Sequence, residues 1–151
     1  MKEFSTVNDI LDFAMNSEQE SVDFYKSLAA NAKNEDMRKV FNQFAQEVIS
    51  HKAKIMKIKE EESYELSREK IQDMKVSDYM VSVKPHPEMN YQDALVLAMN
   101  KEKAAFKLYM DLSERADKEE MKELFLTLAQ EESKHKLRFE LEYDDYVLRE
   151  N

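Results

Sequence analysis

Apolar residues recur along this chain at helical spacing in four long stretches and lose that spacing in one. In the first stretch Val7, Leu11, Ala14, Met15, Val22, Tyr25 and Leu28 mark one face of a helix. That helix begins at Ser5 or Thr6, where Thr6 followed by Asp9 makes a shortened capping box. Ala32-Lys33-Asn34 form the turn, with Asn34 standing where glycine often ends a helix. A second helix runs from about Glu35 to Glu61 on the stripe Met37, Phe41, Phe44, Val48, Ile55 and Ile58. Residues 62–89 break the pattern. Ser67 caps a short helix through Met74, and Val76, Tyr79, Met80, Val81 and Val83 carry apolar surface with no clean period. Pro85 and Pro87 end the segment, because no helix passes through them undisturbed. A third helix starts near Asn90 with Leu95, Ala98, Met99, Phe106, Tyr109 and Leu112. After a turn at Ala116-Asp117-Lys118 a fourth starts near Glu119, carries Met121, Phe125, Leu128, Phe139, Tyr143, Tyr146 and Val147, and runs almost to the C-terminus.

These elements predict an all-α fold: a four-helix bundle in one domain, 1–151, made of an antiparallel hairpin over 5–62, a crossover over 63–89 and a second hairpin over 90–148. The crossover is too apolar for a free linker. It is expected to pack on the bundle or on a second subunit, and a homodimer is the corresponding expectation for the assembly.

The two hairpins are copies of one another. Shifted by 84 positions without a gap, residues 9–52 coincide with 93–136 at 17 of 44 positions, among them Ala14/Ala98, Glu18/Glu102, Tyr25/Tyr109, Phe41/Phe125, Glu47/Glu131 and His51/His135. Two of the three histidines are in this set. The third, His86, lies between two prolines and reads as a solvated loop residue.

Composition narrows the chemistry. The chain has no glycine and two prolines, which disfavours a sheet with tight hairpins. It has no cysteine, so disulfides, zinc–thiolate sites and a rubredoxin-type iron centre are excluded. No apolar run is long enough for a membrane span, and no N-terminal signal pattern is present; a cytoplasmic location is the expectation. A net charge of −9 argues against nucleic acid as a partner, since phosphate binding needs clustered Lys and Arg.

Polar residues interrupt the apolar stripes at matched places. Glu18 falls between Ala14 and Val22, Glu102 between Ala98 and Phe106, His51 between Val48 and Ile55, and both Glu132 and His135 between Leu128 and Phe139. At about 1.5 Å rise per residue, Glu18 and His51 stand at equal heights on either side of the first turn, and Glu102 and His135 repeat the relation. Five ionisable side chains at one level of a core need partners, because a lone buried charge is costly. Carboxylate oxygens with imidazole nitrogens suit iron, manganese or zinc.

The segments Ala14-Met-Asn-Ser-Glu18 with Phe24-Tyr25, Ala98-Met-Asn-Lys-Glu102 with Tyr109, and Leu128-Ala-Gln-Glu-Glu132-Ser-Lys-His135 together resemble the rubrerythrin-like branch of the ferritin-like di-iron carboxylate proteins. The resemblance covers nearly the whole chain apart from the crossover. It implies a ferritin-like bundle with two irons between its helices, ligands Glu18, His51, Glu102, Glu132 and His135, and Tyr25 and Tyr109 hydrogen-bonded to ligand carboxylates. It further implies reaction with dioxygen or peroxide: Fe(II) oxidation or peroxide reduction in oxidative-stress defence, with an external electron donor.

The chain departs from that pattern at Val48. The repeat aligns Val48 with Glu132, so one Glu-x-x-His pair has lost its carboxylate. Glu47 is an additional candidate ligand one residue away. Its repeat partner Glu131 stands beside an intact Glu132, which favours an outer role for both. Three outcomes remain open: two metals held more weakly, one metal on the Glu102-Glu132-His135 side, or none. The alternative reading is a non-catalytic helical bundle serving structure or protein interaction.

Overall fold

The computed structural model describes residues 3–81, 85 and 88–150, and they form a four-helix bundle. Helix α1 spans Val7–Ala30 and α2 Glu35–Glu61; a short α3, Arg68–Ile71, and a 3-10 turn, Val76–Tyr79, lie in the crossover; α4 spans Tyr91–Arg115 and α5 Glu119–Glu150. Packing is closest within the hairpins α1–α2 and α4–α5, as short antiparallel connections require.

Side-chain caps fix the helix starts. Thr6 accepts from the Asp9 amide while the Asp9 carboxylate accepts from the Thr6 amide, closing the predicted capping box. Asn90 caps α4 by accepting from the Asp93 amide at 2.7 Å. Asn34 differs from expectation. Its backbone is extended, with φ −152°, and its side chain accepts from the Met37 amide at 2.8 Å, so it starts α2 and does not terminate α1. Glu62 is the described residue with positive φ, 53°, where it ends α2.

Two other expectations need adjustment. The crossover helix is one turn long, and Ser67 makes no side-chain cap. Phe106 is 37% exposed, because four residues carry it about 40° beyond the inward line of Glu102. Val83, His86 and Pro87 lie outside the described residues. No helix among the described residues is long and apolar enough to cross a membrane.

The crossover packs on this chain's own bundle. Tyr64, Ile71, Met74 and Tyr79 are buried in one core cluster with Leu11, Ile55, Leu112 and Phe125. The Tyr64 hydroxyl donates to the Leu112 carbonyl at 2.5 Å, and that of Tyr79 to Asp111 at 2.5 Å. These contacts seat Tyr64, Ile71, Met74 and Tyr79 on the bundle, while Met80 stays 52% exposed.

The core is divided in two. One cluster holds Ala14, Ile55, Leu108 and Leu128; the other holds Val22, Val48, Ala98 and Phe139. On each of the four long helices the polar residues Glu18, His51, Glu102, Glu132 and His135 fall between members of the two clusters, so a polar layer crosses the middle of the bundle.

Candidate metal centre

All five core ionisable residues are buried, none more than 2% exposed. α1 delivers Glu18, α2 His51, α4 Glu102, and α5 both Glu132 and His135, one turn apart on a single face. Their donor atoms form two groups that each fit one cation: Glu18, His51 and Glu132, and Glu102, Glu132 and His135, with atoms in a group within 4.8 Å of one another. Glu132 belongs to both. The half expected to lack a carboxylate at Val48 therefore has three donor residues as well, because Glu132 reaches across to His51.

The histidines are held alike. His51 turns Nδ1 toward Glu132, 2.8 Å from Oε1, and toward Glu18, 3.2 Å from Oε2. Its outer nitrogen, Nε2, lies 2.9 Å from Glu131. His135 has Nδ1 3.5 Å from the Glu102 Oε2 and Nε2 3.2 Å from Glu47. The two rings are nearly parallel, 14° apart, and Phe44 stacks on His135 with centroids 4.0 Å apart. Glu47 and Glu131 thus stand behind the histidines and belong to neither donor group.

Tyr25 and Tyr109 connect the hairpins. Tyr25 on α1 donates its hydroxyl to Glu102 on α4, and Tyr109 on α4 hydrogen-bonds Glu18 on α1. Burial raises both phenols well above their ordinary range, with neighbouring glutamates adding to it, so they remain donors. Tyr25→Phe is expected to leave one buried Glu102 oxygen without its donor and to lower the stability of the metal-free protein by about 1–3 kcal/mol. Chemical denaturation checks this; an unchanged midpoint contradicts it.

Protons take part in holding the layer together. Burial pushes Glu18 and Glu102 up to about 7, with the charge of Glu132 adding to the rise at Glu18. Burial and the neighbouring Glu102 raise Glu132 well above the carboxylate range. Burial alone would lower His51, but its hydrogen bonds to Glu132 and Glu18 prevail and raise it to about 11, so it is an imidazolium. Even so, Glu102 Oε2 and His135 Nδ1 are buried with no hydrogen-bond partner, and they face each other. An acceptor oxygen and a ring nitrogen brought together without a hydrogen bond are the arrangement a cation resolves. The residues therefore fit a metal: oxygen and nitrogen donors, each histidine with an outer carboxylate to fix its tautomer.

The rubrerythrin family model matches residues 9–90 and 93–151. The chain belongs to the rubrerythrin family. Among solved structures, this rubrerythrin-family chain is similar to a proposed ferritin-like diiron-carboxylate protein of Thermotoga maritima, at 18% identity and a TM-score of 0.76 over 97% of this chain and 99% of the other. It is also similar to a hypothetical protein of Pyrococcus furiosus, at 26% identity and a TM-score of 0.68 over 89% and 86%. No curated protein matches it.

Sequence reasoning did not find the crossed partners of the histidines. Glu47 is four residues before His51, yet it meets His135 on the other hairpin. The repeated Glu47/Glu131 pair was the available signal; its direction was not. Glu142 was also missed. It is 4% exposed on α5, accepts from the Tyr91 hydroxyl at 2.9 Å and lies 3.6 Å from Arg149.

Proposed function

We propose that this rubrerythrin-family protein holds two irons, one in each donor group, and oxidises Fe(II) or reduces hydrogen peroxide in defence against oxidative stress. The observation that carries the reading is the pair of donor groups sharing Glu132, with Glu102 Oε2 and His135 Nδ1 unpartnered within one of them. Bound iron would supply the electrons that cleave an O–O bond. The protein's own groups do the rest. Glu18 and Glu102 would each serve one position and Glu132 both, and the Tyr109 and Tyr25 hydroxyls hold Glu18 and Glu102 in place. Glu132 and His51, protonated without metal, release protons as cations enter. A cavity of about 130 Å3 between α1 and α4 reaches Glu18 and Tyr109 beneath Tyr79 and Val81. That volume suits a small oxidant, since one water takes about 30 Å3 of liquid. Electrons must come from a separate donor, because the chain has no cysteine for a rubredoxin centre.

Rapid mixing of anaerobically Fe(II)-loaded protein with hydrogen peroxide tests the reading. Ferric absorption should form faster than with free Fe(II), because the bound metals and the oxidant are held together in the site. Equal rates with peroxide and with dioxygen as for free Fe(II) would remove the redox function and leave the metal site.

Val48 favours a second reading, a bundle that kept its layer and lost its chemistry. Thermal melting separates the two: a ligand that binds only the folded state raises the midpoint, and no shift with Fe(II), Mn(II) or Zn(II) supports the inactive bundle.

A further inference from the structure

A file of aromatic rings leads from the polar layer to one end of the bundle. His135, Phe139, Glu142 and Tyr146 follow one another on α5 at steps of four, three and four residues, along one helical face. Phe44 stacks on His135, Phe139 meets Phe44 with centroids 5.4 Å apart, Phe41 meets Phe139 at 5.9 Å, and Tyr91 meets Phe41 at 6.3 Å. Tyr146 closes the file, 5.0 Å from Tyr91. The Tyr91 hydroxyl donates to a Glu142 oxygen that also lies 3.6 Å from Arg149. Glu142 is buried and belongs to neither donor group. Packing does not demand this composition. Carried on at the 84-residue offset, the first hairpin sets Val7, Ile55 and Ile58 where the second has Tyr91, Phe139 and Glu142, and those three aliphatic residues are buried too. A buried carboxylate at position 142 costs desolvation that an isoleucine avoids in the other half.

We propose that Tyr91 is a redox-active tyrosine, with Glu142 as its proton acceptor and the rings of Phe41, Phe139 and Phe44 as its electron path to the metal centre. The inference rests on the metal-binding reading above. Hydrogen peroxide needs two electrons and two protons to become two waters, and a chain holding a single iron has one electron from Fe(II) to give. Tyr91 gives the other. Its hydroxyl proton passes to Glu142, its ring becomes a neutral radical, the O–O bond breaks, Fe(II) becomes Fe(III), and the two protons for the waters come from solvent. Burial, then the hydrogen bond and charge of Glu142, raise the Tyr91 phenol well above its ordinary range, so it keeps its proton until the electron leaves. Phenylalanine is far harder to oxidise than a phenol, so the intervening rings pass the electron and the radical settles on the tyrosine. A groove of about 900 Å3 passes Tyr91 and Tyr146, where a one-electron donor in solution can return the electron while Glu142 returns the proton. Two other tyrosines fit less well. Tyr25 meets Phe139 at 5.3 Å, but its hydroxyl donates to Glu102, a metal ligand in this reading. Tyr79 donates to Asp111, but its ring leads to Phe4 and Phe13 in the other core cluster.

The test is electron paramagnetic resonance of protein loaded anaerobically with one equivalent of Fe(II), mixed with hydrogen peroxide and frozen within milliseconds. The natural protein should show an organic radical beside the ferric signal, and ring-deuterated tyrosine should narrow it. Tyr91→Phe should abolish the radical and keep the ferric signal, while Tyr143→Phe, outside the file, should keep both. Phe41→Leu, which removes one ring and leaves Tyr91 and Glu142 in place, should lose most of the radical, as should Glu142→Gln, which cannot take up the proton. A ferric signal with no radical, or a radical unchanged by Tyr91→Phe, overturns the assignment; a radical unchanged by Phe41→Leu overturns the path. Absence of bound iron, counted by elemental analysis, overturns the metal-binding reading and the relay with it. Melting midpoints show separately that each variant is folded.

Discussion

Glu132→Gln is expected to abolish tight metal binding at both positions while leaving the metal-free bundle intact. Glu132 is the one residue in both donor groups, so its loss cannot be confined to one cation. Loss of an outer partner of a ligand costs about 10–100-fold in affinity, and removal of a shared charged ligand should exceed that at each position. The metal-free outcome follows from protonation. Glu132 is raised well above its ordinary range by burial, by the charge of Glu102 and by their hydrogen bond, all of which favour its protonated form in the core. A glutamine copies the size and hydrogen-bonding of that protonated acid: its amide can donate to Glu102 and its oxygen can accept from His51. The variant should match the natural protein's stability near pH 4.5 and exceed it near pH 7, where the unfolded chain releases the proton that the folded core keeps. Calorimetric metal titration and denaturation at the two pH values check both halves. Unchanged binding at either position would mean that Glu132 is not shared.

The second large effect is a fall in metal-free stability as pH rises. Glu18 and Glu102 titrate near 7 in the folded state against 4.5 in a free chain, with burial the leading cause. The folded state therefore holds protons that the unfolded chain releases between these values. The stability they contribute is full below about 4.5 and is lost as pH climbs through about 7. Glu132, raised further, continues the loss. His51, raised from 6.5 to about 11, has the same sign: its contribution is full below 6.5 and declines toward 11. At about 1.4 kcal/mol per pH unit, Glu18 and Glu102 by themselves amount to several kcal/mol between pH 5 and pH 8. For a chain of this size that is a drop on the order of 10 °C in melting midpoint. Metal reverses the trend, because carboxylate and neutral imidazole are the binding forms; the metal-induced rise should widen across the same interval. A metal-free midpoint that stays level from pH 5 to pH 8 would contradict the protonated polar layer.

Much of this layer was legible in the sequence because helical geometry converts spacing directly into position. Glu18, His51, Glu102, Glu132 and His135 each interrupt an apolar stripe, and the repeat matches Glu18 with Glu102 and His51 with His135 in height. The helix starts were equally readable, since Thr6 and Asn90 cap through short-range contacts. Relations between helices were not. Spacing on α5 puts Glu132 beside His135, but its contact with His51 depends on how α2 and α5 pack. The same packing sends Glu47 to His135 and Glu131 to His51. Phe106 was misjudged because a stripe gives a direction only within several tens of degrees, and its side chain falls toward the groove with Met80 and Met110. Asn34 was misread because asparagine serves both helix ends, and only the backbone angle separates the two uses.

The central claim is that the polar layer of this rubrerythrin-family protein holds two cations joined by one carboxylate. Diffraction recorded on both sides of the iron absorption edge, from crystals grown anaerobically with Fe(II), tests it directly. Two anomalous peaks should appear in the core, one among Glu18, His51 and Glu132 and one among Glu102, Glu132 and His135, each beside a histidine Nδ1. A single peak would contradict the shared role of Glu132, and a core with no peak would contradict the metal centre altogether.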